Sequence, residues 1–392
     1  MSLKRIVATV AVLAAGALTA GPAPAQETVK IGLVQSLSGP LASVGRQVLA
    51  GARLYMQQHG NTVAGKKIEL IVKDDATVPD VAKRLAQELI VNDKVNILGV
   101  GITPVALAIA PLATEAKIPE VVMVSGTSVV TERSPFIVRV SFTLGQSSGI
   151  MADWVAKNGG RKVIIIQSDW APGAEATAVF TQRFTAAGGV ILEVIKVPLA
   201  NPDFAPFLQR AMDLAPDTLF VFVPAGQAGT FARQFIERGL DKSGIRLVGP
   251  GDITDDDDLP RMSDAVLGVV TAHNYSASHP SAMNKAYVEA FKKANNGLRP
   301  NFMSINGYDG MHLIYEALKK TKGNTDGAAL VEAMKGMKWE SPRGPIQIDP
   351  ETRDIIQNIY VRKVERVGGE LYNTEIATFE AVKDPLKAAK KQ

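Results

Sequence analysis

Three short motifs in this chain match spacings that carry chemistry elsewhere. Gly145-Gln146-Ser147-Ser148-Gly149 fits G-x-S-x-G. That pattern exposes a nucleophilic serine when an acid and a histidine follow later in the chain. His273, His279 and His312 do follow, so a serine hydrolase using Ser147 is one reading. The other is that Ser147 or Ser148 caps a helix N-terminus. Gly60-Asn61-Thr62-Val63-Ala64-Gly65-Lys66 has P-loop spacing, but Lys67 stands where a magnesium-binding Ser or Thr belongs. It also precedes a strand pattern rather than opening a helix, so it reads as a surface turn. Gly99-Val100-Gly101 resembles the start of a dinucleotide fingerprint, yet Pro104 replaces the third glycine. The four histidines lack metal-ligand spacing. The run Asp255-Asp256-Asp257-Asp258 lacks the glycine and distal glutamate of a calcium loop and reads as a solvated loop. No cofactor is expected.

A different constellation is more coherent. Three stretches rich in glycine and hydroxyls follow strand-like segments: Ser36-Leu37-Ser38-Gly39-Pro40, Gly101-Ile102-Thr103-Pro104 and Ser125-Gly126-Thr127-Ser128. Glycine allows a ligand to approach the backbone. Free amides at a helix start, with the hydroxyls of Thr103, Thr127 and Ser128, suit a carboxylate. Each stretch alone is also an ordinary turn, but three at successive strand ends point to a site. The second half of the chain offers bulk instead. Trp170 follows one strand, Pro224-Ala225-Gly226-Gln227 another, and Gly249-Pro250-Gly251-Asp252 a third. Trp170 is placed to cover an apolar ligand body.

The elements that must hold these loops alternate along the chain. Continuous apolar runs such as Ile97-Leu98-Gly99-Val100 suit strands buried on both faces, and helix-period segments separate them. Strands are expected over 29–35, 67–74, 95–100 and 121–124, with helices over 47–59, 79–91 and 104–116. The pattern restarts after 142–148. Repeated strand–helix units imply an α/β fold of two doubly wound, parallel-sheet lobes. The expected division places residues 26–145 with 275–350 in lobe 1 and 146–274 with 351–380 in lobe 2. A hairpin is expected at Gly368-Gly369, and a frayed basic tail over 381–392.

At 392 residues with 46% hydrophobic and 21% charged, the chain has ample material for two cores. A net charge of +4 without a basic run argues against nucleic acid as the partner. Lys4 and Arg5 precede an apolar stretch from Ile6 to Ala20, which ends at Gly21-Pro22 before Ala23-Pro24-Ala25. This has the form of a secretory signal peptide over residues 1–25. Cleavage there would leave a net charge of +2 and a periplasmic protein with no direct membrane insertion. There are no cysteines, which excludes thiol chemistry and leaves no cysteine to acylate as in a lipoprotein.

The sequence resembles the type I periplasmic binding proteins of ABC importers, specifically the branched-chain amino-acid-binding family. The carrying stretches are Val29-Lys30-Ile31-Gly32-Leu33 with Leu37-Ser38-Gly39-Pro40, Gly65-Lys66-Lys67-Ile68-Glu69-Leu70, and Asp74-Asp75. Ala110-Pro111-Leu112-Ala113 ahead of Ile118-Pro119, Phe136-Ile137-Val138-Arg139, and Gly307-Tyr308-Asp309 complete them. The resemblance implies two lobes joined by several crossovers that close on one ligand. It implies a non-enzymatic monomer that delivers a small carboxylate to a membrane permease. It places the carboxylate grip near Thr103 and on Ser125, Gly126, Thr127 and Ser128, with Ser38, Trp170, Gly226, Asp252 and Tyr308 as further ligand-binding candidates. The chain departs from the family pattern in three places. Val44 and Pro172 stand where tyrosines are expected, and Gly251 replaces the acid that binds an amino group, with Asp252 one step on. A buried ammonium without a partner is costly. An aromatic or other hydrophobic acid therefore stands beside a branched-chain or hydrophobic amino acid as the expected ligand. A sensor of the same fold and the Ser147 hydrolase are the alternatives.

Overall fold

A computed structural model describes residues 27–389; the expected signal peptide lies outside them. Two sheets organise the chain. The first contains β1 (Thr28–Gln35), β2 (Thr62–Val63), β3 (Lys66–Asp74), β4 (Ile97–Val100), β5 (Glu120–Val122) and β6 (Ile137–Arg139) in the order β2-β3-β1-β4-β5-β6. All its pairings are parallel except the short β2–β3 hairpin, which is where the P-loop-like spacing falls. Helices α1 (Ala42–His59), α2 (Pro79–Val91) and α3 (Thr103–Ala116) connect these strands.

The second sheet begins after α4 (Leu144–Lys157). It contains β7 (Lys162–Ser168), β8 (Val190–Val197), β9 (Thr218–Phe222), β10 (Arg246–Pro250) and β11 (Val270–His273), with α5 (Ala171–Ala186), α6 (Ala205–Asp213) and α7 (Ala228–Glu237) between them. The chain then returns to the first lobe as α8 (Ala282–Ala294), α9 (Phe302–Lys320) and α10 (Gly327–Met334). Finally β12 (Lys338–Ser341), β13 (Gly344–Ile348), β14 (Ile355–Val367) and β15 (Glu370–Val382) extend the second sheet to β12-β13-β14-β11-β10-β9-β7-β8, with β15 on β14. These late strands are antiparallel. The second lobe is thus a parallel doubly wound sheet with an antiparallel extension, and β14 and β15 turn back at Gly368-Gly369.

Both sheets change winding direction internally, the first between β1 and β4 and the second between β7 and β9. Loops after strands on either side of such a switch diverge and leave a crevice at their carboxyl ends. All four residues of β4 are buried, as a sheet covered on both faces demands. Helix α1 buries Val44, Val48, Ala52 and Tyr55 at three- and four-residue spacing, the stripe of an amphipathic helix. It crosses α9 closely. A Cβ on Gly51 would lie 1.8 Å from the Ser304 carbonyl oxygen, and one on Gly307 2.1 Å from the Val48 carbonyl oxygen.

Three expectations are corrected. Helix α4 is capped by Thr143, whose hydroxyl accepts from the Gln146 amide while its own amide donates to Gln146 Oε1; Ser147 and Ser148 lie inside the helix. The acidic run is not solvated. Asp255 and Asp256 are buried, because Asn301 Nδ2 donates to both Asp255 oxygens and Asn373 Nδ2 to Asp256. Asn301 itself caps α9, so Asp255 anchors that helix start. The tail is not frayed through Ala388. Asp384 and Lys387 are buried, with Lys387 Nζ on Asp354 and Thr131.

Candidate functional site

A cavity lies where the two switch points meet. From the first lobe it is lined by Leu41 and Val44 around the start of α1, Ile102 and Thr103 after β4, and Val124, Ser125 and Gly126 after β5. Phe142, Leu144 and Met303 complete that side. From the second lobe come Trp170 and Pro172 after β7, Phe222, Pro224 and Ala225 at the end of β9, and Asp252 after β10. Its empty volume is about 390 Å³, part of it open to solvent. Its lining contains no lysine, arginine or histidine.

The polar groups are concentrated on the first lobe. Thr103 Oγ1 and Thr127 Oγ1 are 3.1 Å apart, and Ser125 Oγ donates to the Gly101 carbonyl at 2.8 Å. Thr103 opens α3, so its amide has no acceptor within its own helix. The Gly126 and Thr127 amides donate to no oxygen among the described residues. Thr103, Ser125, Gly126 and Thr127 therefore form one cluster of hydroxyls and amides. Buried Arg139 holds that loop in place. Its Nη2 donates to the Thr127 carbonyl at 2.6 Å, and its Nε pairs with Asp354 at 3.0 Å. The Arg343–Asp309 pair, 2.9 Å apart and fully buried, ties α9 to the loop before β13, and Arg343 also donates to the Val140 and Ser141 carbonyls.

Asp252 is the one acidic side chain in the cavity lining. It is 4% exposed. Its Oδ1 accepts a long bond from the Ala225 amide at 3.4 Å, while Oδ2 has no partner. Burial pushes its carboxyl up to about 7, with the Ala225 amide and the nearby Arg362 charge partly opposing this. His273 Nε2 lies 4.0 Å from Oδ2. Burial and Arg362 hold His273 well below the ordinary imidazole range. Its Nδ1 faces Asn274 Oδ1, and we assign the proton there, which leaves Nε2 an acceptor with no proton for Asp252. Gly251 cannot carry a side chain: a Cβ there would meet Arg362 Nη2 at 2.0 Å.

Five sequence candidates lie outside the cavity lining; Thr127 reaches it only through the Thr103 hydroxyl, 3.1 Å away. Ser38 is exposed, and its amide donates to Asp74 Oδ1 at 3.2 Å. Together with the Ser36 hydroxyl on Asp75, 2.6 Å, this shows the Ser-Gly-Pro loop locked onto the Asp74-Asp75 turn. Tyr308 is on α9, with its Oη donating to Gln58 Oε1 at 2.7 Å in an aromatic cluster with Tyr55 and His59. Gly226 has φ +90°, and a Cβ there would meet Ser43 Oγ at 2.3 Å across the lobes. Ser128 is committed to another contact across the lobes. Its amide and hydroxyl donate to the Glu175 carboxylate on α5 at 2.8–3.0 Å. Burial, reinforced by the Asp384 charge, raises Glu175 to about 6 despite the Ser128 bonds and Arg139. Sequence reasoning missed the apolar lining, since Leu41, Phe142, Phe222 and Met303 resemble core positions. The switch-point rule was the signal that could have found them.

Ser147 shows none of the surroundings of a nucleophile. It is buried, and its hydroxyl faces the Leu144 carbonyl of its own helix at 3.4 Å. No group of three or more His, Asp or Glu side chains among the described residues is arranged to hold a metal ion. No helix among them is long and apolar enough to cross a membrane.

Comparison with known proteins agrees with this architecture. The profile of a family described as periplasmic binding protein matches residues 28–370. A solute-binding protein of an ABC transporter from Rhodopseudomonas palustris BisB5, solved with 3,4-dihydroxybenzoic acid, is 67% identical. It covers 92% of this chain and 99% of its own, with a TM-score of 0.91. A solute-binding protein from R. palustris HaA2, solved with p-hydroxybenzoic acid, is 41% identical over 93% and 100% of the two chains, with a TM-score of 0.89. "Leu/Ile/Val-binding protein homolog 6" of Brucella melitensis is 43% identical over 98% of this chain and 100% of its own.

Proposed function

This chain belongs to the periplasmic binding protein family, a family of solute-binding proteins of ABC transporters rather than of enzymes, and from that premise we propose that its ligand is an aromatic carboxylic acid of the benzoate class. The observation that carries the reading is the guanidinium behind Gly251. The resemblance assigns that position to an acid that binds a ligand ammonium. In this chain the Cβ position of residue 251 is occupied by Arg362 Nη2, so no carboxylate stands there. The rest of the cavity suits a flat apolar body, with Phe142, Trp170 and Phe222 among its walls. The names of the relatives divide, one toward branched-chain amino acids and two toward hydroxybenzoates. The 67%-identical neighbour is on the aromatic side.

In the proposed mechanism, the ligand carboxylate is gripped by the Thr103 hydroxyl and by the amides of Thr103, Gly126 and Thr127, with Ser125 shaping the loop. Trp170 and the β9 loop cover the ring. Capture ends in hinge closure, the motion through which periplasmic binding proteins enclose their ligands. Water is expelled, and the few bonds to the carboxylate strengthen in the drier site. Micromolar affinity, about −8 kcal/mol, suffices for such a receptor. The same proposal takes residues 1–25 as a cleaved signal peptide. It takes the lobes as 26–145 with 275–350 and 146–274 with 351–380, although β12 and β13 at the end of the first range pair into the second sheet. A membrane permease receives the loaded, monomeric protein.

Calorimetry on refolded, ligand-free protein tests the reading. Benzoate and 4-hydroxybenzoate should bind in the micromolar range or tighter, and leucine, isoleucine and valine should not. Binding of the branched-chain amino acids alone would refute it.

A further inference from the structure

We propose that Asp252 is the specificity-determining acceptor for a ring hydroxyl, so that the site selects hydroxylated benzoates over benzoate itself. The inference rests on the benzoate-class reading and adds the group that reads the ring.

The first observation is an unsatisfied buried acceptor in the cavity wall. Asp252 is almost fully buried, and its Oδ2 has no partner. An unpaired buried acceptor is costly, and one that faces a cavity is placed to be completed by what binds there. The neighbouring groups do not complete it. Arg362 places Nη1 on the Tyr275 carbonyl and Nη2 on Thr271 Oγ1 at 3.1 Å, with Asp256 3.8 Å from Nη1, and its Nε, buried without a partner, makes no hydrogen bond to Asp252. His273 Nε2 has a lone pair facing the same gap. What is missing beside Asp252 is therefore a hydrogen-bond donor.

The second observation is the distribution of polar groups between the lobes. The hydroxyls and amides that suit a carboxylate follow β4 and β5 of the first sheet, whereas Asp252 follows β10 of the second. A ligand that presents its carboxylate to the first lobe and a donor to the second satisfies both. A phenolic hydroxyl is such a donor. A third feature agrees with this. Trp170 lines the same cavity from the second lobe, and its indole Nε1 is buried without a partner; it can donate to a hydroxyl oxygen, which a bare ring edge cannot accept.

Calorimetry with benzoate, 4-hydroxybenzoate and phenylalanine on wild type, Asp252→Ala and Asp252→Asn decides the matter. Wild type should bind 4-hydroxybenzoate about 10- to 100-fold more tightly than benzoate, the range of a hydrogen bond to a charged group. In Asp252→Ala that ratio should fall to within about threefold. In Asp252→Asn, which keeps an oxygen acceptor without the charge, it should lie between. If the alanine variant does not fold, the asparagine ratio carries the test. Equal wild-type affinity for the two acids, or an unchanged ratio in the variants, would overturn the role of Asp252 and leave the benzoate-class reading standing. Failure of wild type to bind either acid would overturn both. Tight phenylalanine binding that Asp252→Ala abolishes would identify Asp252 as an ammonium partner and overturn the inference.

Discussion

Replacing Glu175 by glutamine should tighten ligand binding, although it removes a charge that accepts three hydrogen-bond contacts across the lobes. Glu175 lies on α5 and receives the amide and hydroxyl of Ser128 from the loop after β5. In this structure its carboxyl is buried and raised from 4.5 to about 6, a balance in which burial outweighs the Ser128 bonds. Were the lobes to separate and hydrate it, the group would titrate near its ordinary value. The rise corresponds to about 2 kcal/mol of penalty on the ionised form at neutral pH, at 1.36 kcal/mol per pH unit. Glutamine keeps an oxygen for Ser128 and loses the charge. Its amide can also donate to Asp384, whose charge raises Glu175 and whose Oδ2 is buried without a partner. If closure limits affinity, Glu175→Gln should tighten 4-hydroxybenzoate binding by up to about 30-fold at pH 7.5. Glu175→Ala should weaken it, because Ser128 is left unpaired at about 1–3 kcal/mol. The sign of the pH dependence follows from the raised value. The penalty is present in full above about pH 6 and is relieved as the pH falls toward 4.5, where both states are protonated. The difference between Glu175→Gln and wild type, read by calorimetry, should therefore shrink at pH 5. Equal weakening by glutamine and alanine, or a difference that ignores pH, would refute the reasoning.

Thr103→Val keeps shape and removes the hydroxyl, and should weaken benzoate binding about 10- to 100-fold, the range for a hydrogen bond to a charged ligand, with Thr103→Ser recovering most of it; a change under threefold by calorimetry would remove Thr103 from the carboxylate grip. Burial raises Asp252 from an ordinary 3.8 to about 7. A ligand hydroxyl that bonds the ionised form must displace a proton below that pH, so 4-hydroxybenzoate affinity should fall relative to benzoate between pH 8 and 6. Benzoate brings no donor and favours the protonated form; parallel pH profiles for the two acids would contradict the assignment. Gly51→Ala forces a methyl to within 1.8 Å of the Ser304 carbonyl oxygen where α1 crosses α9. It should cost about 3 kcal/mol, the upper part of the overpacking range, as a drop in the denaturation midpoint with an unchanged slope; a drop under 1 kcal/mol would mean the helices separate easily.

The local periodicity of the chain determined its elements and, with them, the architecture. Uninterrupted runs such as Ile97–Val100 are legible as buried strands because both faces of a covered sheet reject polar side chains. The strand–helix alternation then allows few topologies. The hydroxyl-rich loops at 101–104 and 125–128 were legible for a related reason. Free amides and glycines at the carboxyl ends of parallel strands are local features, and Thr103 and Thr127 do meet, 3.1 Å apart. Their neighbour Ser128 shows the limit of that reasoning, since only the packing of α5 reveals that its donors are already taken by Glu175.

Contacts between residues distant in sequence were decided by the tertiary structure alone. Asp255 and Asp256 read as solvated because four adjacent aspartates repel one another in water. Asn301 and Asn373, 46 and 117 residues away, supply the donors that make burial possible. Phe142, Phe222 and Met303 carry no mark that separates cavity wall from core, because an apolar side chain has the same composition in both places. Which side of it faces empty space depends on where two sheets, folded from separate parts of the chain, come to rest against each other. The same holds for Gly251: its missing side chain is visible in the sequence, but the Arg362 guanidinium that fills its place arrives from β14, 111 residues later.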